Sequence, residues 1–136
     1  MGLERIDKLS VGASAGSGNL DQSETLAGKI AFDPAWLRQF PYGRDSLSII
    51  RVEGDSMMPT LSHGDDIMVA AQNEIARKDG IYVIRMDDVL MVKRIAFGPN
   101  RKLDVMSDNE AYRGWHDVDA ADINIIGPVI WVGRKI

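Results

Sequence analysis

From Leu47 onward the apolar positions fall in short β-branched runs and alternations, broken at close intervals by Gly, Asp, Asn and Pro. That is the rhythm of strands and turns rather than of helices. "SLSIIRVEG" predicts a strand ending at Gly54, and "SHGDDIMVAA" a turn at Gly64-Asp65 feeding another. "GIYVIRMDDVLMVKRIAF" predicts a hairpin with Asp87-Asp88 at its tip. "GPNRKLDVMSDN" reads as a turn, a short strand and a second turn, and "INIIGPVIWVG" as two short strands parted at Gly127-Pro128. Ahead of these, "FDPAWLRQF" offers Asp33 as an N-cap and Pro34 at the first helical position, so one short helix is expected. The fold class that follows is mostly β: a compact, mainly antiparallel sheet or partial barrel of short strands with one short helix.

The first 29 residues break this rhythm. "SVGASAGSGNLDQSE" is small, polar and rich in Gly and Ser, so 1–29 reads as a flexible linker or exposed loop ahead of a domain over 30–136. At 136 residues the chain is long enough for one real core. Its net charge of -4 makes it a poor candidate to grip a nucleic-acid backbone by itself. It contains no cysteine, hence no disulfide, thiol nucleophile or thiolate metal site, which fits a reducing cytoplasm. The chain shows no apolar run of membrane-spanning length and no signal-peptide pattern. Ile6 stands where a myristoylation signal needs Ser or Thr. A cytoplasmic protein without membrane contact is the expectation.

Two residues suggest chemistry. Ser56, in "VEGDSMMPTL", follows a glycine that permits a tight turn, and Pro59 restricts the residue before it. If a helical turn opens after Ser56, the amides of Asp55 and Ser56 are free to face an incoming carbonyl oxygen. The same serine could equally be a capping residue in an ordinary turn. Lys93 alternates with Val89, Met91 and Ile95 along one strand face, while Leu90, Val92 and Arg94 take the other, Arg94 reaching solvent. On an apolar face a lysine is pushed toward the neutral amine that a general base must be. Alternatively it snorkels to the sheet rim with its stem packed. Met57 and Met58 would cover such an amine.

Together these stretches resemble a known family. "GDSMMPTL" at 54–61, "HGDDIMV" at 63–69, "DGIYVIR" at 79–85 and "MVKRI" at 91–95, with "SDNEAY" at 107–112 and "IIGPVIWVGR" at 125–134, look like the C-terminal peptidase domain of LexA and the lambda-type phage repressors. The resemblance implies a serine endopeptidase with a Ser-Lys dyad that cuts its own chain, Ser56 attacking with Lys93 as general base. It implies a scissile Ala-Gly bond ahead of the serine. Ala15-Gly16, inside "GASAGSG", fits; a plain linker there, or a cut at Ala13-Ser14, stays open. It further implies homodimerisation, promotion of cleavage by a RecA filament in an SOS-type response, and operator DNA bound through an N-terminal helix-turn-helix domain. Too few residues precede Ala15 for that domain, so a C-terminal piece of a longer repressor, or a truncated relative, is expected. A non-catalytic oligomerisation module of the same fold is the alternative.

The remaining polar residues carry less. His63 and His116 read as turn residues without ligand spacing, so no metal site, Ser-His triad or cofactor is expected. Asp65-Asp66 and Asp87-Asp88 read as solvated turn acids. Trp36, Trp115 and Trp131 read as packing residues rather than base-stacking ones.

Overall fold

The computed structural model describes residues 2–12 and 26–136. Along these the chain forms β1 (Glu4–Gly12), β2 (Leu26–Phe32), α1 (Pro34–Leu37), β3 (Leu47–Arg51), β4 (Asp66–Ala70), β5 (Gly80–Met86), β6 (Val89–Phe97), β7 (Lys102–Met106), β8 (Trp115–Asp119) and β9 (Asn124–Gly133). Short 3-10 turns lie at Arg44–Ser46 and Ala120–Asp122. The strands make one open sheet in the order β2-β1-β3-β4-β9-β5-β6-β7-β8. Every pairing is antiparallel except β1 with β3. The mostly-β expectation holds, with α1 the single short α-helix among the described residues.

Local chemistry sets these elements where the sequence placed them. Asp33 accepts a hydrogen bond from the Ala35 amide and Pro34 opens the helix, as expected. Asp87 and Asp88 both adopt left-handed backbone (φ 51° and 63°), which the tight turn joining β5 to β6 requires. The apolar end of the chain departs from expectation: it is one strand, β9, that changes partner. Its first half pairs with β5 as far as Pro128, and from Val129 it pairs with β4. Pro128, which has no amide hydrogen, sits where the pairing changes hands.

Three apolar clusters fill the sheet. One, around Ile50, Val52, Met57, Leu61, Ile67, Val69, Val83, Leu90 and Val92, lies under the turn that carries Ser56. A second joins Ile6, Leu37, Leu47, Ile49 and Met68 to a half-buried aromatic group. There Trp36 stacks on Phe32 at 5.2 Å and Trp131 meets the same ring edge-on at 5.3 Å. The third gathers Tyr82, Ile84, Ile95, Leu103, Val105 and Ile123. Trp36 and Trp131 therefore pack as expected, whereas Trp115 on the edge strand β8 is exposed.

The reading of 1–29 as linker does not hold for all of that stretch. Residues 4–12 form β1, and residues 26–29 belong to β2. Glu4, Ile6 and Lys8 alternate onto one face, and only Ile6 is buried there. Glu4 is held by Arg44 at 3.2 Å and Lys8 by Asp66 at 3.1 Å. A strand anchored by ion pairs and backbone ladders gives little hydrophobic signal.

Candidate active site

The turn bearing Ser56 is a controlled departure from the β3–β4 ladder. Beyond Arg51 the pairing continues through Val52 N–H to the Asp65 carbonyl and Gly64 N–H to the Val52 carbonyl, both at 2.8 Å. The segments then part. The Gly54 amide finds the Nδ1 of His63 at 2.9 Å, and Gly54 turns the chain with φ 84°. After Ser56 the backbone coils: Met58 N–H donates to the Asp55 carbonyl (3.2 Å) and Leu61 N–H to the Met57 carbonyl (2.9 Å). Met57 and Leu61 are buried and root the turn in the first cluster. Among the described residues the amides of Asp55 and Ser56 donate to no group.

Lys93, on β6 opposite Tyr82, is only 8% exposed, so its side chain does not escape to the rim. Burial pushes its pKa below the ordinary lysine value. Its Nζ donates to the Oγ of Ser107 at 2.8 Å. Ser56 and Lys93 line one cleft of about 250 Å³, with Val52, Met57, Val89, Met91 and Val92 as its apolar wall and Asp55 and Tyr112 among its polar lining. No hydrogen bond joins Ser56 to Lys93 among the described residues. β6 is buried on both faces, since Leu90 and Val92 belong to the first cluster and Ile95 to the third. Arg94 is half-exposed yet engaged, bound to Asp108 at 2.7 and 2.9 Å. Met57 covers the cleft as expected; Met58 does not, because its side chain is turned out to solvent.

The segment 107–112, between β7 and β8, ties the two halves together. Ser107 meets Lys93, and Asp108 binds both Arg94 and the hydroxyl of Thr60. Arg94 beside it holds the Asp108 carboxyl below the usual carboxylate range. The Asn109 amide donates to the Ser56 carbonyl and its side-chain Nδ2 to the Asp55 carbonyl, each at 3.0 Å. Tyr112 gives its hydroxyl to the Asp55 carboxylate, which raises the phenol's pKa. None of these contacts was legible in the sequence, where "SDN" reads as a turn.

Two expectations need correction. Asp65 is not a solvated turn acid: it is 2% exposed and forked by Arg134 at 2.8 and 2.7 Å, with Ser62 N–H on the same carboxylate. The Arg134 guanidinium holds its carboxyl below the usual range. Asp66 is half-buried at the start of β4 and pairs with Lys8. His63 lies in a turn but supports Gly54, and His116 sits on β8, where it pairs with Asp104 at 3.2 Å. No cluster of metal-ligating side chains occurs among the described residues. No helix there is long and apolar enough to cross a membrane. Ala15 and Gly16 lie outside the described residues.

Residues 8–130 match the Peptidase S24-like family. The chain is 38% identical to the 26 kDa repressor protein of Escherichia phage HK022 over 82% of this chain and 49% of that protein. It is 28% identical to the LexA repressor of Caldicellulosiruptor saccharolyticus over 69% of this chain and 45% of that protein. An uncharacterized HTH-type transcriptional regulator of Haemophilus influenzae aligns at 24% identity over 99% of this chain and 58% of its own length. The chain thus spans about half the length of the curated relatives it matches.

Proposed function

The chain belongs to the Peptidase S24-like family, as a domain of the LexA and phage-repressor type, and on that premise we propose that it is the self-cleaving, dimerising C-terminal part of a transcriptional repressor. The observation that carries the reading is the cleft itself. A half-buried serine with two unoccupied amides beside it shares an apolar-walled cleft with a buried lysine.

In this reading Lys93 works as the neutral amine that burial favours. One of its N–H bonds is given to Ser107, which leaves the lone pair to be directed at Ser56. The reaction requires the Ser56 hydroxyl to turn toward that lone pair across the cleft the two residues share. Lys93 takes the proton, and Ser56 Oγ attacks the carbonyl carbon of Ala15. The oxyanion rests on the N–H groups of Asp55 and Ser56. Collapse breaks the Ala15-Gly16 bond, with the lysine proton passing to the leaving Gly16 amine. Water, deprotonated by Lys93, then hydrolyses the ester and leaves residues 1–15 covalently separate from the rest of the chain.

The register of β1 supports a cut within the same chain. β1 runs parallel to β3 with Gly12 opposite Arg51, and β3 leads directly into the Ser56 turn. Ala15 is three residues past Gly12 in the sequence. Operator DNA would be bound through an N-terminal helix-turn-helix domain and aligned by a homodimer of this domain, with a RecA filament promoting cleavage. Cutting would sever the DNA reader from its dimerisation domain.

Incubation at raised pH followed by intact-mass measurement tests the proposal. Loss of residues 1–15 is expected from the wild type and from neither Ser56→Ala nor Lys93→Ala. An uncut wild type would leave the non-catalytic oligomerisation module as the reading; a cut Ser56→Ala would remove the nucleophile.

A further inference from the structure

We propose that Asn109 is a positioning residue that aims the Ser56 amide at the oxyanion, a role that rests on the self-cleavage reading above. Four polar groups of Asn109 are engaged. Its Oδ1 accepts from the Ala111 amide at 3.0 Å and its carbonyl from Tyr112 N–H at 3.0 Å, which fixes its own loop. Its Nδ2 and its main-chain N–H reach across to the Asp55 and Ser56 carbonyls. The orientation of the side-chain amide follows from these partners, since an N–H must meet an acceptor and a carbonyl must meet a donor.

The geometry of the peptide unit turns those contacts into chemistry. The Asp55 carbonyl and the Ser56 N–H belong to one planar trans unit and point in opposite directions. A donor fixed on the carbonyl therefore fixes the direction of the N–H. The second contact, on the Ser56 carbonyl, fixes the next unit in the same way. Ser56 is thus held between two peptide planes, each anchored by one residue. Asn109 lies two residues after Ser107, which receives Lys93, so one short segment sets both halves of the dyad.

Loss of one oxyanion donor lowers an enzyme's rate on the order of 10²–10³-fold. Loss of its aim should lower cleavage by about 10- to 100-fold. Asn109→Ala removes the side-chain donor. Asn109→Asp keeps the Oδ1 that accepts from Ala111 but turns an acceptor toward the Asp55 carbonyl. Both variants should cut slowly with thermal midpoints close to the wild type. In Asn109→Ala the pH at which the rate rises should stay where it is, because Ser107 still holds Lys93; in Ser107→Ala that midpoint should move. Amide exchange by NMR reads the same clamp without any cleavage, because Met58 N–H shares the Asp55 carbonyl with Asn109. Met58 exchange should quicken at least about 10-fold in Asn109→Ala relative to amides of the β5–β6 hairpin.

A wild type that cuts, beside an Asn109→Ala that cuts equally fast, overturns the role of Asn109 and leaves self-cleavage standing. A wild type that does not cut overturns self-cleavage. Met58 exchange then decides whether Asn109 holds the turn, and unchanged exchange in Asn109→Ala overturns that as well.

Discussion

Two buried charged residues separate two uses of burial. Lys93 is buried among apolar neighbours, with a serine hydroxyl as the partner of its amine, and burial pushes it toward the neutral form. Asp65 is buried against a guanidinium, and that contact holds it ionised. The first arrangement suits the base of the proposed reaction; the second fastens the end of β9 to the turn below Ser56, because Arg134 follows Gly133 and Asp65 accepts from Ser62. Arg134→Gln should therefore lower stability near neutral pH. The sign follows from the depressed Asp65 pKa: its contribution is present above the unfolded value of about 3.9 and is lost as pH falls through the folded one. Urea titrations at neutral and at acid pH check this. The gap between variant and wild type should shrink in acid, and an equal gap at both would assign the loss to packing alone.

At the scale of elements, β9 carries the architecture because it serves both halves of the sheet. Its crossing point depends on Gly127: a Cβ there would stand 1.9 Å from the Ala70 carbonyl oxygen. Backbone cannot yield as a flexible side chain does, so Gly127→Ala should cost about 3 kcal/mol or more, at the top of the usual overpacking range. A urea midpoint within experimental error of the wild type would contradict the crossing geometry. The same elements explain what the sequence could show. The β5–β6 hairpin and α1 were legible because turn and cap residues sit beside apolar runs. β1 was not, since charged residues fill its alternating face, and β8 was not, since "WHDVD" is an exposed edge without a buried stripe. In the cleft, Ser56 and Lys93 drew notice by residue type and setting, but each had an ordinary alternative, and only the combination of motifs across the chain paired them. Ser107 and Asn109 drew none, because their partners are remote: Lys93 lies 14 residues from Ser107, and Asp55 lies 54 from Asn109.

The whole molecule is one sheet built from strands distant in sequence, with β1 lying between β2 and β3. On the self-cleavage reading, the scissile bond would follow β1, which is held in register beside β3, and would be attacked within the same chain. The first-order cleavage constant should then be unchanged over a 100-fold range of protein concentration; a constant rising in proportion would mean that copies cut one another. The central claim is that a lysine kept neutral by burial activates a serine against its own chain, and the pH dependence of that constant tests it most directly. Rate should rise about tenfold per pH unit while Lys93 is mostly protonated, then level off below the ordinary lysine value of about 10.4. Lys93→Ala should show no cleavage across the range. A rate flat with pH, or cutting that survives in Lys93→Ala, would contradict the account.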